Sequence, residues 1–281
     1  MTVQNRQVYD FIVCGSGASG GVVASQLAAN PQVSVLLVEA GGDERVPQVA
    51  DSRVWMQNIG SERDWQFRSE PCAGLNQRTP PLPMGKVLGG GSSVNGLIWA
   101  RGHRNDFDRW ARAVDDPDWG YASVLEVYKR IEAWDGPADD ARRGTQGPFH
   151  VTLPKDPNPV ALALREATNA LGISAVEDLN AEAMEGPGAC GIPNVPVLGD
   201  SERVSVATAY IRPRMNQSNL TVMFDTCVEQ VLLQGRRATG VRLRRERQTL
   251  EVSARYEVVL SLGAINTPKV LMLSGIGDAA Q

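Results

Sequence analysis

A large excess of charge of either sign is missing from this chain. Its 28 basic residues face 32 acidic ones, for a net charge of −4 and a sequence pI near 5.4. No global basic field therefore argues for nucleic acid or an anionic membrane as a partner. The one local basic run, Arg242, Arg244, Arg245 and Arg247, is interrupted by Leu243 and Glu246 and reads as a solvated strand edge and turn. Long apolar runs are missing too. No stretch approaches the ~20 residues that span a bilayer, and the opening MTVQNRQVYDF carries no apolar signal region, so membrane insertion is not expected. The 4 cysteines, Cys14, Cys72, Cys190 and Cys227, form no CxxC pair and no metal-ligand spacing. Cys14 and Cys227 fall in apolar strand-like runs, where a buried thiol serves as a small hydrophobe. A reducing, cytoplasmic setting is the default expectation, with no metal site.

What the chain does have is glycine, 28 residues, within an ordinary composition of 42% hydrophobic and 21% charged residues over 281 positions. That length suffices for one large domain or two modest ones with a substantial core. VYDFIVC at 8–14 is β-branched and aromatic-rich, as a buried strand requires. GSGASG follows at 15–20, then the Ala-rich VVASQLAAN, which reads as a helix ended by Pro31, then a second strand, VSVLLVE, at 33–39. In a dinucleotide-binding βαβ unit each glycine has a physical role. Gly15 makes the tight turn, Gly17 lets the backbone approach a pyrophosphate, and Gly20 lets helix and strand pack closely. The helix N-terminus offers N–H groups to the phosphates. Glu39, closing the second strand, stands where a carboxylate accepts from an adenosine ribose. Strand, glycines, helix, strand and acid occur in order, but the motif alone does not separate NAD from FAD.

Residues 45–84 then break the strand–helix alternation, with DWQFRSEP at 64–71 and prolines at 80, 81 and 83. An excursion of this length reads as a lid over an extended ligand. It leads into GKVLGGGSSVNGLIWARGHRNDFD at 85–108. Three consecutive glycines expose backbone N–H groups without Cβ obstruction, the makings of an anion-binding concavity. Val87, Leu88, Val94, Leu97, Ile98 and Trp99 interleave with them and are expected to draw the loop inward. Asn95 offers a donor and an acceptor; Lys86 either neutralises phosphate or snorkels at the surface.

Taken with GAINTPKVLMLSGIG at 263–277, this stretch resembles the two signatures of the glucose–methanol–choline (GMC) oxidoreductases, FAD-dependent alcohol oxidases and dehydrogenases. DWQFRSEP, WGYASVLEVYKRIE, GTQGPFHV and RVSVATAYIRP are also similar to the family, and the resemblance runs from about residue 8 to the end. It implies an α/β fold: a Rossmann-like FAD-binding domain with a parallel sheet, from residues 1–150 and 202–281, plus the start of a smaller α+β substrate domain at 151–201. It implies that Gly15, Ser16, Gly17, Ala18, Ser19 and Gly20 cradle the pyrophosphate and that Glu39 and Ala40 meet the ribose. Val87, Gly90, Ser93, Asn95, Gly96, Leu97 and Ile98 would lie along pyrophosphate and flavin, Val228 near the adenine, and Gly263 and Ala264 at a second close backbone approach. Some members bond flavin covalently through a histidine before the matching Asn. Val94 stands there, so FAD is expected to be held non-covalently.

The same resemblance implies oxidation of an alcohol, with the hydroxyl proton taken by a histidine of a C-terminal pair. Only His103 and His150 are present, and neither matches that position, so no catalytic residue is assigned. The chain resembles the N-terminal half of such an enzyme, and a missing C-terminal half or partner chain is expected to supply the rest. Two other readings remain open: an NAD-dependent dehydrogenase, against which the second glycine loop argues, and a non-catalytic flavin-binding chain.

Overall fold

In the computed structural model, which describes residues 7–278, the run VYDFIVC forms β1 (Val8–Cys14), with Ile12, Val13 and Cys14 fully buried. In chain order there follow α1 (Gly20–Ala28), β2 (Val35–Val38), α2 (Pro47–Ala50), the short strands β3 (Phe67–Arg68) and β4 (Pro81–Leu82), α3 (Arg104–Val114), α4 (Tyr121–Ile131), β5 (Glu132–Asp135), β6 (Phe149–Thr152), α5 (Pro159–Ala170), β7 (Val197–Leu198), β8 (Glu202–Arg203), β9 (Leu220–Met223), β10 (Thr226–Gln234), β11 (Arg237–Arg245), β12 (Gln248–Leu260) and α6 (Gly263–Leu273). They divide into two units. One runs to Asn95 and resumes at Ser205, and the other is Gly96–Val204.

The first unit is built on a six-stranded sheet in the order β10-β11-β12-β1-β2-β9. Its centre is parallel: Phe11 to Cys14 of β1 pair with Val35 to Val38 of β2 on one side and with Glu257 to Leu260 of β12 on the other. Strands paired on both edges and covered on both faces read as apolar runs; the four buried residues of β2 form one, and VYDFIVC is one except at Asp10, whose buried carboxylate accepts from the Ser34 N–H at 2.8 Å and the Ser34 hydroxyl at 2.9 Å. The remainder of the sheet is antiparallel. β10, β11 and the first half of β12 form a meander, and its Val241, Leu243, Val252 and Ala254 close over Tyr9, Ile12, Cys14, Leu36 and Val38 in the main apolar core. Each such aliphatic side chain contributes about 1.5–3 kcal/mol by leaving water. α1 meets the rest of the unit through its small residues, Gly20, Gly21, Ala24 and Ala28, all buried.

The expected parallel sheet is present as β12-β1-β2-β9; β10 and β11 add antiparallel strands to it, because the connections between β10, β11 and β12 are too short for anything but hairpins. Several expectations differ from this structure. TVMFDTCVEQVLL is two strands: the backbone of Asp225 turns left-handed (φ 50°) between β9 and β10. Cys227 is half-buried rather than enclosed. The arginines of 242–245 lie on β11, an interior strand of the sheet rather than its edge, with Arg242 and Arg244 paired to Glu251 and Glu229.

In the second unit β5 and β6 pair in parallel, and Thr152 and Trp99 bridge to Val195 and Asn194. The chain therefore divides at Asn95, and residues 96–150, expected with the FAD domain, share a unit with 151–204. A buried polar network holds this unit. Glu132 accepts from Arg101 at 2.5 Å and lies 3.3 Å from Arg143, with all three side chains essentially unexposed. The Arg143 guanidinium stacks 3.7 Å over the Trp134 ring. Asn180 accepts from the Arg101 backbone N–H at 2.7 Å and donates to Asn194. No helix among the described residues is long and apolar enough to cross a membrane.

Candidate functional site

At the carboxyl end of β1 the chain turns at Gly15 with φ 92°, and a Cβ there would lie 2.4 Å from the Ser261 carbonyl oxygen. Only glycine fits such a turn. A Cβ on Gly20 would sit 1.9 Å from the Gly15 carbonyl oxygen, so turn and helix pack against each other with no room between them. Gly17 is different: a Cβ there meets nothing within 4 Å, and its backbone opens onto a cavity of about 590 Å³, within the ~300–1,000 Å³ of small-molecule sites.

Ser16 joins three parts of this site. Its hydroxyl donates to Glu39 Oε2 at 2.6 Å, its backbone N–H donates to the same oxygen at 3.1 Å, and its Oγ accepts from the N–H of Gly89 at 3.1 Å. The other Glu39 oxygen accepts from the Gly41 N–H at 2.9 Å. Burial pushes the Glu39 carboxyl upward, while the bonds from Ser16, Gly41 and Ala40 pull it back down. The acid that closes β2 thus fastens the fingerprint turn and, through one hydroxyl, the triple-glycine loop.

That loop lies directly against the first. A Cβ on Gly90 would sit 2.8 Å from Gly17 Cα. Val87 and Leu88, both fully buried, attach it to the end of β2: Val87 bridges Gly42 in parallel, and the Leu88 N–H donates to the Gly42 carbonyl at 3.0 Å. Gly90–Ser93 forms a single 3-10 turn, pinned by the Ser93 hydroxyl donating to the Leu88 carbonyl at 2.6 Å. Across the cavity α6 begins at Gly263, without a capping side chain. α1 likewise begins without one. Two uncapped helix N-termini therefore border one cavity, and uncapped N–H groups with the positive end of the helix dipole favour a diphosphate.

The excursion at 45–84 forms another wall. Trp55, Asn58, Asp64, Trp65, Phe67 and Met84 line the cavity from it. Asp64 organises this wall: its carboxylate accepts from the N–H groups of Gly60, Gln66 and Met84 at 2.9, 3.0 and 2.9 Å. Burial works to raise its pKa, but those three bonds outweigh it and hold the carboxyl below its ordinary value. Lys86 neither snorkels freely nor lines the cavity; its ammonium stands 5.4 Å from the Trp65 ring centroid.

Of the residues expected at the site, Gly15, Gly17, Ala18, Ser19, Glu39, Ala40, Gly90, Asn95, Gly263 and Ala264 line the cavity together. Ser16, Gly20, Val87 and Ser93 are buried behind it. Val228 lines a smaller adjoining cavity of about 180 Å³. Gly96, Leu97 and Ile98 belong to the other unit. There the extended chain alternates: Leu97 is buried, Ile98 is 64% exposed, and Trp99 turns in to stack on Phe149 at 4.9 Å. Ile98 is therefore not drawn inward as expected, because successive side chains of an extended segment point to opposite sides. The aromatic wall was missed as a set of lining residues, although the tryptophans and Phe67 inside a polar excursion were its signal.

The two histidines have structural partners. His103 caps α3, its Nδ1 accepting from the Asn105 N–H at 3.1 Å while Nε2 contacts the Gly186 carbonyl at 2.8 Å. His150 lies on β6, 4.0 Å from Asp135. Among the described residues no histidine lines the cavity.

Comparison with known proteins agrees with this geometry. Oxygen-dependent choline dehydrogenase of Rhizobium johnstonii is 37% identical over 270 residues, covering 95% of this chain and 48% of that protein. An uncharacterised GMC-type oxidoreductase of Mycobacterium bovis is 38% identical, over 96% of this chain and 50% of its own length. Among solved structures, pyridoxine 4-oxidase from Mesorbium loti superimposes with a TM-score of 0.89 at 31% identity, over 97% of this chain and 53% of that one. An FAD-dependent oxidoreductase from Chaetomium thermophilum does so with a TM-score of 0.87 at 28% identity, over 97% and 48%. The chain spans about half the length of the relatives it matches. The GMC oxidoreductase sequence profile matches residues 9–281, and the chain belongs to that family.

Proposed function

We propose that this chain is the FAD-binding half of an oxidoreductase acting on CH–OH groups, and that FAD is held without a covalent bond. The observation that carries the reading is the joint at Ser16: one hydroxyl ties the fingerprint turn, the ribose-binding position Glu39 and the triple-glycine loop into a single cradle. The cradle fits FAD on its own chemistry. Gly17 and Gly91 leave open space where a Cβ would stand, the two uncapped helix starts supply N–H groups for a diphosphate, and the aromatic wall offers flat surfaces to fused rings. A plain nicotinamide domain would proceed from β2 to its next strand–helix unit; the second glycine loop and the excursion that line this cavity favour FAD over NAD. Val94, which lines the cavity immediately before Asn95, is aliphatic and has no nucleophile to offer the flavin.

The chemistry that FAD supplies when bound is acceptance of the hydride from the carbon of a CH–OH group. The residues of this chain bind and orient: Gly15–Gly20 and Gly90–Gly91 place backbone N–H groups, Glu39 accepts from ribose hydroxyls, and Asp64 holds the aromatic wall in place. The base that takes the hydroxyl proton is proposed to come from polypeptide corresponding to the relatives' other half, so the 281-residue chain binds FAD without oxidising alcohols. Titration with FAD, followed by quenching of flavin fluorescence and then by anaerobic addition of choline and simple primary alcohols, tests both parts. Saturable quenching without bleaching is the expected result. Bleaching by an alcohol would show that the proton acceptor is present after all, and absence of binding would remove the cofactor reading.

A further inference from the structure

The stretch RVSVATAYIRP at 203–213 lies outside the cavity lining, yet its later part stands behind both glycine turns. Ala207–Ile211 forms a π turn, a conformation frequent at functional sites. Its start is fastened by a reciprocal pair: the Ser205 N–H donates to Thr208 Oγ1 at 2.9 Å, and the Thr208 N–H donates to Ser205 Oγ at 3.3 Å. Past its end, Arg212 pairs with the buried Glu44 at 2.6 Å, and Arg214 Nε donates to Ser25 of α1 at 3.0 Å. Val206, Ala207, Tyr210 and Ile211 are buried between these ties.

Two glycines rest against this fixed segment. A Cβ on Gly21, in the first turn of α1, would lie 2.5 Å from Val206 Cγ1 and 2.9 Å from Ile211 Cδ1. A Cβ on Gly89, which opens the triple-glycine loop with φ 85°, would lie 3.1 Å from Ala207 Cβ. One side chain joins the loop to the segment as well. The Ser92 hydroxyl donates to the Gly89 carbonyl at 2.7 Å and accepts from the Val206 N–H at 3.0 Å. Ser92 does not line the cavity, whereas its neighbour Gly91 does, with open space where a Cβ would stand. Three glycines in a row carry no side chain that could fix their own backbone, and glycine has more freedom to lose than any other residue. A site that binds through the direction of its backbone needs that direction set in advance by surrounding groups.

We propose that Ser92 is a positioning residue for the diphosphate: its hydroxyl couples the fixed segment at 205–211 to the triple-glycine loop and sets the direction in which the backbone at Gly91 faces the cavity. This rests on the FAD reading above. Ser92 acts through the loop and does not touch the ligand.

The test is titration with FAD followed by fluorescence quenching, together with phosphorus NMR of the bound diphosphate at saturation. Ser92→Ala is expected to weaken FAD by about 10-fold or more, the loss that one misdirected hydrogen bond to a charged group brings, and to displace the phosphorus resonances. Ser92→Thr, which keeps the hydroxyl, is expected to return both to their wild-type values. Asn219→Ala calibrates a loss of stability alone. Asn219 Nδ2 ties together the carbonyls of Ala28, Asn30 and Val33 at the far end of α1, and its removal is expected to lower the melting temperature without moving the resonances. Where circular dichroism shows Ser92→Ala to be unfolded, Ser92→Cys, close in size but a weaker donor and acceptor, is read by the same criteria. Wild-type affinity in the folded variant, or weaker affinity with unmoved phosphorus resonances, overturns the positioning role and leaves the FAD reading intact. A wild-type chain that does not bind FAD overturns both.

Discussion

Two glycines three positions apart should fail in opposite ways when each gains one methyl group. At Gly17 the new Cβ meets nothing within 4 Å, and the backbone is outside the left-handed region. Alanine is therefore compatible with the fold, and it restricts the unfolded chain, which changes stability by about 0.4–1 kcal/mol in the favourable direction. The methyl occupies space beside the cavity, however, and keeps the diphosphate from the backbone N–H groups. Losing one charge-assisted hydrogen bond costs about 1.5–3 kcal/mol, or roughly 10- to 150-fold in affinity for FAD. At Gly20 the Cβ would lie 1.9 Å from the Gly15 carbonyl oxygen and 2.9 Å from Ser261 Cβ. The first neighbour is backbone and cannot rotate away. Overpacking of this kind costs about 1–3 kcal/mol, and at roughly 2–4 °C per kcal/mol the melting temperature falls by about 2–12 °C. Thermal unfolding without ligand, followed by fluorescence titration with FAD, separates the two. Gly17→Ala with reduced stability and full affinity, or Gly20→Ala with wild-type stability, would refute the assignment of one glycine to the ligand and the other to the fold.

Glu132→Ala leaves Arg101 and Arg143 buried without the carboxylate between them. It should cost about 3–5 kcal/mol, read as a lower urea midpoint, and Glu132→Gln should recover part of that loss. Asp43 is held at about 2: burial opposes the shift, but hydrogen bonds from Arg45 and the charges of Arg212 and Arg45 prevail. A depressed folded pKa contributes stability that is present above the ordinary value of 3.8 and lost as pH falls toward 2. Asp43→Asn should therefore flatten the stability profile across that window, and an unchanged acid limb would rule the pairing out. Burial pushes the Cys14 thiol up to about 12, whereas Cys72 is exposed. Thiol-specific labelling of the native chain should modify Cys72 readily and Cys14 only after denaturant is added, as read by peptide mass spectrometry.

Legibility in the sequence tracked how local each cause was. β1 was readable because its buried half, Ile12, Val13 and Cys14, needs apolar side chains, and GSGASG was readable because turn and helix packing at Gly15 and Gly20 admit no Cβ. The break between β9 and β10 was not, since it depends on a left-handed backbone at Asp225, a conformation aspartate tolerates but does not announce. The division at Asn95 was hidden for a different reason. It is made by contacts such as Trp99 with Asn194 and Arg101 with Asn180, between segments whose separation in sequence leaves no periodic trace. Ser16 shows the limit at the site itself. As the variable position between two glycines it carried no pattern, yet its hydroxyl links turn, acid and second loop. Glycine is visible because the backbone excludes every alternative; a hydrogen-bonding side chain becomes visible only once its distant partners have been placed. For that reason the cradle could be located from its glycines, whereas the side chains that join it and the aromatic wall that faces it emerged only from the fold.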